Sequence, residues 1–292
     1  MNKKSLPVGV FDSGLGGLTA VREIKRILPE EHIIYFGDTG RLPYGTRSPE
    51  IIKKYACDDM NFLLTNSVKA VLVACGTVSS TALELLKSTF SVPVIGVVEP
   101  AAKKACSLTK TGRIAILATP STIRTGAFNK TIKEICPDFE VMGVGCPMFV
   151  PLVENGYIDS DNPVALNIAN EYISKLIDFA PDVIILGCTH YPIIKETVKK
   201  CANELIGEVE IVDSGSCAAS ALKEYLENME LANKSEENSY CGKTEYYVSD
   251  CPHDFGEIAS LFLGEKVDDV TQIDIEKYLY HPKSDAMERQ HK

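Results

Sequence analysis

"VLVACGTVSS" (residues 71–80) is an apolar run that stops at Cys75 and turns small and polar. "VIILGCTHYP" (183–192) repeats the pattern and stops at Cys188. Short apolar runs bounded by Gly and small polar residues read as buried strands, and the residues after each of these two read as a turn into a helix. Outward from this pair, further strands are expected at 8–11, 33–36, 94–97, 114–119, 140–144 and 210–213. Helix-periodic segments such as "PEIIKKYACDDMNFLLTN" (49–66), "PVALNIANEYISKLIDF" (163–179) and "PIIKETVKKCANELIG" (192–207) lie between them. Alternation of this kind predicts an α/β protein whose parallel sheets carry helices on both faces.

Ligands of open parallel sheets sit outside the carboxyl ends of the strands, so the residues just past each run carry the functional weight. Four of these ends are rich in chemistry: "FDSGLGG" (11–17), "FGDTGRLPYGTR" (36–47), "ACGT" (74–77) and "GCTHYP" (187–192). The first three and the last fall on opposite sides of a boundary near 97–105, which suggests two domains facing across one cleft. The segment 224–243 reads as an exposed helix end and loop, and the polar stretch from about Gly264 as an appendage.

The chain has 292 residues, of which 45% are hydrophobic, enough for one large or two ordinary domains with buried cores. A formal charge of −10 and a pI near 5.1 argue against a nucleic-acid partner and favour a small molecule or another protein. No run is long enough to span a membrane and no signal-peptide h-region precedes the first strand, so a cytoplasmic location is expected. Ten cysteines with no CxxC pair point away from a disulfide framework or zinc ribbon; most should be small buried hydrophobes.

At Cys75 and Cys188 the positive end of a following helix would favour a thiolate. Thr77 and Thr189 could cap that helix or offer a hydroxyl to a ligand, and Pro192 suits a first helical turn. A metal site of Cys75, Cys188 and His190 lacks a local ligand spacing. A Cys188–His190 nucleophilic pair leaves Cys75 idle. Two thiols on opposite sides of a substrate suit a third chemistry, in which one removes a proton from carbon and the other returns one to the opposite face. Gly14-x-Gly16 after a strand, with Asp38 ending the next, opens like a dinucleotide fingerprint. Thr19 occupies the third glycine position, however, and Asp12 would set a negative charge beside the pyrophosphate. "RLPYGTR" (41–47) reads as a surface turn or as a binding loop with free N–H groups for a carboxylate, and Thr119 invites the same two readings.

"GVFDSGLGGLTAV" (9–21), "YFGDTGRLPYGTRS" (35–48), "ACGTVSS" (74–80), "FVPLVENG" (149–156) and "LGCTHYP" (186–192), in this order, resemble the cofactor-independent bacterial glutamate racemases. The resemblance covers about residues 7–264. It implies two doubly wound parallel-sheet domains with pseudo-twofold symmetry and the active site between them. The first domain would hold 1–98 and 209–264, the second 99–208, and 265–292 would be an appendage.

The resemblance further implies no cofactor and no metal, a homodimer, and a product, D-glutamate, used in peptidoglycan. Cys75 would act on the D-glutamate face and Cys188 on the L face, assisted by Asp12 and by the pair Glu154 and His190. Ser13, Tyr44, Gly45, Gly76, Thr77, Thr119, Thr189, Asp12 and His190 would bind substrate. Gly76 departs from the family, which usually has Asn there. The lost hydrogen bond would be worth about 1–3 kcal/mol, so Gly76→Asn is expected to alter KM more than kcat. Alternatives are a racemase of the same fold acting on aspartate or another acidic amino acid, and a ligand-binding relative without catalysis.

Overall fold

A computed structural model describes residues 3–233, 242–251, 255–267 and 269–281. Its strands form two sheets in which every pairing is parallel. The first sheet contains β1 (Val8–Asp12), β2 (Ile33–Gly37), β3 (Ala70–Val73), β4 (Val94–Gly96), β9 (Thr244–Val248) and β10 (Thr271–Gln272), in the order β10-β9-β2-β1-β3-β4. The second contains β5 (Arg113–Ala118), β6 (Glu140–Gly145), β7 (Val183–Leu186) and β8 (Glu210–Asp213), in the order β6-β5-β7-β8. The inner order 2-1-3-4 of the first sheet recurs as 6-5-7-8 in the second. Cys75 follows β3 and Cys188 follows β7, so the two thiols occupy equivalent places in two copies of one topology.

The connecting helices are α1 (Leu18–Ile27), α2 (Pro49–Thr65), α3 (Gly76–Thr81), α4 (Leu83–Thr89), α5 (Val98–Leu108) and α6 (Pro120–Thr125). They continue with α7 (Ala127–Ile135), α8 (Phe149–Glu154), α9 (Pro163–Ile173), α10 (Lys195–Leu205), α11 (Ser214–Asn228) and α12 (Phe255–Leu263). β1, β2, β3 and β7 are buried along their whole length. This explains why they read as continuous apolar runs, since helices cover both faces of the sheet.

One hydrophobic cluster covers one face of the first sheet with α1, α11 and α12 and continues into the second through Leu117, Leu186, Phe149 and Tyr191. The other faces are filled separately, by α2 to α4 on the first sheet and by α5 and α7 on the second. No helix among the described residues is long and apolar enough to cross a membrane.

Two segments sit elsewhere than the sequence suggests. Glu210–Asp213, grouped with the first domain on the sequence, pairs with β7 in the second sheet. The strand completes that sheet, and the chain returns to the first sheet only through α11, whose Asp213 cap accepts from Gly215 and Ser216 N–H. The stretch after Gly264, expected as an appendage, adds β10 to the edge of β9. It also buries Ile275, sets Tyr278 edge-on against Phe62 and donates the Tyr280 N–H to Asp58 at 2.8 Å. Sparse apolar residues suffice here because an edge strand is covered on fewer sides than a central one.

β9 escapes the sequence pattern for a similar reason: its Glu-Tyr-Tyr stretch is half exposed. Of the loop expected over 224–243, α11 occupies the start, and residues 234–241 with Cys241 lie outside the described residues, as do 282–292 of the tail. If the segment after Gly264 belongs to the core, Ile275→Ala should lower unfolding free energy by about 2–4 kcal/mol in urea titrations. A change below about 0.5 kcal/mol would restore the appendage.

Candidate active site

The carboxyl ends of the two sheets meet. At the end of β1, the buried Asp12 accepts the Gly14 N–H at 3.0 Å through Oδ2 and the Thr189 hydroxyl at 3.4 Å through Oδ1. Thr189 lies beyond β7, so this contact crosses between sheets, and the Thr19 hydroxyl crosses beside it to the Thr189 carbonyl at 3.0 Å. On the other side Thr77, after β3, meets Thr119, after β5, at 3.0 Å. Thr122 completes a triangle of hydroxyls at 3.3 Å from Thr77 and 3.0 Å from Thr119. Neither Thr77 nor Thr189 caps a helix as the sequence allowed. Cys75 itself occupies the cap position of α3, and Thr119 caps α6 by accepting the Thr122 N–H at 3.2 Å.

Cys75 and Cys188 are only 5% and 7% exposed. Cys75 donates to the Ser13 hydroxyl at 3.4 Å. The environment disfavours the expected thiolates: burial, reinforced by the nearby Asp12 charge, pushes the Cys75 thiol up to about 12. Burial raises the Cys188 thiol as well, against a partial opposing effect of the His190 N–H. The helix-end argument loses because α3 has only six residues, and after Cys188 a short 3-10 turn (Tyr191–Ile194) precedes α10. Desolvation of a buried anion exceeds what one or two N–H groups return.

His190 lies in the same turn and shares a 2.9 Å contact between its Nε2 and Glu154 Oε1. Glu154 ends α8, which is braced beneath that turn by Phe149 packed edge-on against Tyr191 and Tyr172, and by the Tyr191 hydroxyl on the Cys146 carbonyl. Phe262 of α12 packs edge-on to the imidazole at 4.9 Å between centroids. The other ring nitrogen, Nδ1, is buried with no hydrogen-bond partner and rests against Gly16, where a β-carbon would come within 2.5 Å. Burial also raises the Asp12 carboxyl, opposed by the His190 charge and the Gly14 and Gly17 N–H groups.

The loop after β2 is held by a buried cluster. Arg41 binds Asp38 at 2.6 Å and Asp58 and Asp59 at 2.8 Å each, with Tyr55 beneath its guanidinium. The Tyr44 hydroxyl donates into the same cluster at Asp38. The Tyr44 side chain is therefore committed to the interior, and what this loop can offer a substrate is backbone. Gly45 lies beside Thr119, its β-carbon position 3.5 Å from the threonine Cβ.

Two sequence alternatives lose their footing here. The Gly14–Gly16 loop is occupied by neighbouring residues: the Gly14 carbonyl accepts the Tyr35 hydroxyl at 2.6 Å, and Gly16 abuts Thr189 and His190. No pyrophosphate berth remains. Among the described residues no group of three His, Cys, Asp or Glu is arranged to hold a metal. Gly76 also differs from expectation. It leaves no vacancy, because the Gly187 carbonyl oxygen stands 2.1 Å from where its β-carbon would be. Thr122 and Gly187 do not stand out as site residues on the sequence, the Thr119-x-x-Thr122 cap spacing being the one local signal between them, and Gly16 stands out only as part of the Gly14-x-Gly16 pattern.

Two buried thiols thus stand at equivalent strand ends of a duplicated parallel fold, where the carboxyl edges of the two sheets face each other. The sequence profile of the Asp/Glu/Hydantoin racemase family matches residues 10–222. A glutamate racemase of Geobacter metallireducens is 44% identical over 92% of this chain and 97% of its own, and one of Chlorobaculum tepidum is 41% identical over 90% and 94%. The crystal structure of the Francisella tularensis glutamate racemase in complex with D-glutamate superposes with a TM-score of 0.86 at 34% identity, covering 94% of this chain and all of the other. The chain belongs to the Asp/Glu/Hydantoin racemase family.

Because burial disfavours the Cys75 thiolate, alkylation of Cys75 by iodoacetamide in the ligand-free protein should keep accelerating above about pH 9, the ordinary value for a thiol. Mass spectrometry of the Cys75 peptide gives the rate, with the exposed Cys251 reacting first. A plateau for Cys75 by pH 9 would mean a stabilised thiolate.

Proposed function

We propose that this protein interconverts L- and D-glutamate, with Cys75 and Cys188 as the two proton-transferring groups and D-glutamate supplied to peptidoglycan. The observation that carries the reading is the pair of buried thiols at matching strand ends of the two facing sheets, with the Asp12 charge acting on both and the His190–Glu154 pair in the turn that carries Cys188. The glutamate racemases similar over most of the chain support glutamate as substrate. We assign residues 1–98 with most of 214–281 to one domain and 99–213 to the other, and expect the enzyme to work as a cytoplasmic homodimer.

In this mechanism one cysteine enters turnover as thiolate and the other as thiol. The thiolate takes the proton from Cα, and the bonding pair stays on carbon, delocalised into the α-carboxylate. The opposite thiol then gives its proton to the other face. Inversion is complete and the two sulfurs have exchanged protonation states, so each turnover in one direction readies the enzyme for the other.

The α-proton is a weak acid, and the reaction needs a desolvated base with donors fixed around the developing charge. Burial makes each thiolate strongly basic, and the substrate ammonium would offset the cost of forming it. Asp12, near enough for its charge to act on the Cys75 thiol, assists that cysteine. His190, held by Glu154 in the turn that carries Cys188, assists that cysteine. Ser13, Thr77, Thr119 and Thr189 supply hydroxyls, and Tyr44, Gly45 and Gly76 supply backbone.

Solvent deuterium should enter Cα of both glutamate enantiomers with inversion, with chelator present and no cofactor added, while both aspartate enantiomers stay unlabelled. Labelling of aspartate instead would move the assignment to that substrate, and labelling of neither would favour a binding role. Cys75→Ser and Cys188→Ser should each abolish racemisation yet spare elimination from one enantiomer of a β-chloro analogue, with opposite preferences. Either variant racemising at the wild-type rate would rule out the two-thiol mechanism. Glu154→Gln should lower kcat about 10-fold or more in at least one direction with KM nearly unchanged, because it loosens His190 without removing a substrate contact.

A further inference from the structure

Three threonine hydroxyls meet where the two sheets join, Thr77 from the first and Thr119 and Thr122 from the second. The oxygens of Thr77 and Thr119 are 3.0 Å apart, and Thr122 stands 3.3 Å from the former and 3.0 Å from the latter. Thr122 is buried, and its hydroxyl meets no protein partner besides these two among the described residues. Its backbone is fixed on both sides within α6: Thr119 accepts the Thr122 N–H at 3.2 Å, and the Thr122 carbonyl accepts the Thr125 hydroxyl at 2.7 Å. The side chain therefore stays where it is while substrate comes and goes.

Each of these hydroxyls carries one proton and can accept two hydrogen bonds. When Thr77 and Thr119 both donate to a ligand, their oxygens turn lone pairs toward each other across 3.0 Å. A proton directed into that gap offsets the repulsion, and the buried Thr122 has nowhere else to send its own. A ligand that draws a proton from both outer hydroxyls needs two adjacent acceptor oxygens, as a carboxylate has.

We infer that Thr122 is a positioning residue for a substrate carboxylate: its hydroxyl donates into the Thr77–Thr119 pair and leaves both of their protons for the carboxylate oxygens. The inference rests on the function proposed above, which gives Thr77 and Thr119 to the substrate. Thr122 touches no substrate itself and acts through the other two. Without its hydroxyl, Thr77 and Thr119 satisfy each other, one donating to the other, and a carboxylate must break that bond to be held by both. With it, the hydroxyls form a chain ending on an anion, in which each bond polarises the next.

The test is a set of substitutions read by glutamate racemisation. Thr122→Val keeps the shape and the Thr119 cap but removes the hydroxyl, and should lower kcat/KM about 10-fold. Thr122→Ser restores the hydroxyl and should stay within about threefold of wild type. Because Thr122 acts on the pair, adding Thr122→Val to Thr119→Val should cost less than about threefold further, the coupling expected of residues that act through one another.

A fall below about threefold for Thr122→Val, a serine variant as impaired as the valine one, or a full additional loss in the Thr119→Val background would overturn the positioning role. A wild-type protein that racemises neither enantiomer would instead overturn the functional reading, and the role of Thr122 with it. Should Thr122→Val fail to fold, the crystal structure of the wild type with D-glutamate decides. Thr77 and Thr119 both within about 3.2 Å of one carboxylate, with Thr122 as close to either hydroxyl, uphold the role. A carboxylate held away from the pair, or bound by Thr122 directly, removes it.

Discussion

A parallel sheet delivers every strand's carboxyl end to the same edge, and this molecule sets two such edges against each other. Asp12, Cys75, Thr119 and Cys188 all stand at a strand's last position or within two residues of it, and meet across that junction. The junction is buried and close, bridged by hydroxyls, glycine backbone and one continuous hydrophobic cluster shared by both sheets. Everything the site can do depends on how much water those facing edges exclude.

Exclusion of water changes the chemistry of the groups inside. In the open, a cysteine before a helix would be poised toward thiolate. Buried beside a carboxylate, the same residue favours the thiol. The same burial raises the Asp12 carboxyl above its ordinary value.

The support around the site is as particular as the site itself. Arg41 and three aspartates hold the loop that brings Gly45 to Thr119, and the Tyr280 N–H closes that cluster from the far end of the described chain. Around His190, Glu154, Phe262 and Gly16 fix the ring on three sides. Both arrangements join residues far apart in sequence. Phe262 and Tyr280 carry no functional signal there, because their role is to press on another residue rather than to react.

Eight of the ten strands among the described residues are legible in the sequence because buried parallel strands must be continuously apolar and must end in small turn residues. The half-exposed β9 and the two-residue β10 carry neither mark. Cys75, Cys188, Asp12 and His190 stand out by residue type at or just past strand ends, whereas Glu154 enters only through the family resemblance. What tertiary structure alone decided is distance and desolvation. It committed the Tyr44 hydroxyl to Asp38, turned Thr77 and Thr189 from caps into bridges, and filled the place beside Gly76 with the Gly187 carbonyl. Periodicity reports which face of a strand or helix is buried, whereas the approach of two backbones from different sheets, and the water that approach expels, depend on the packing of the whole chain.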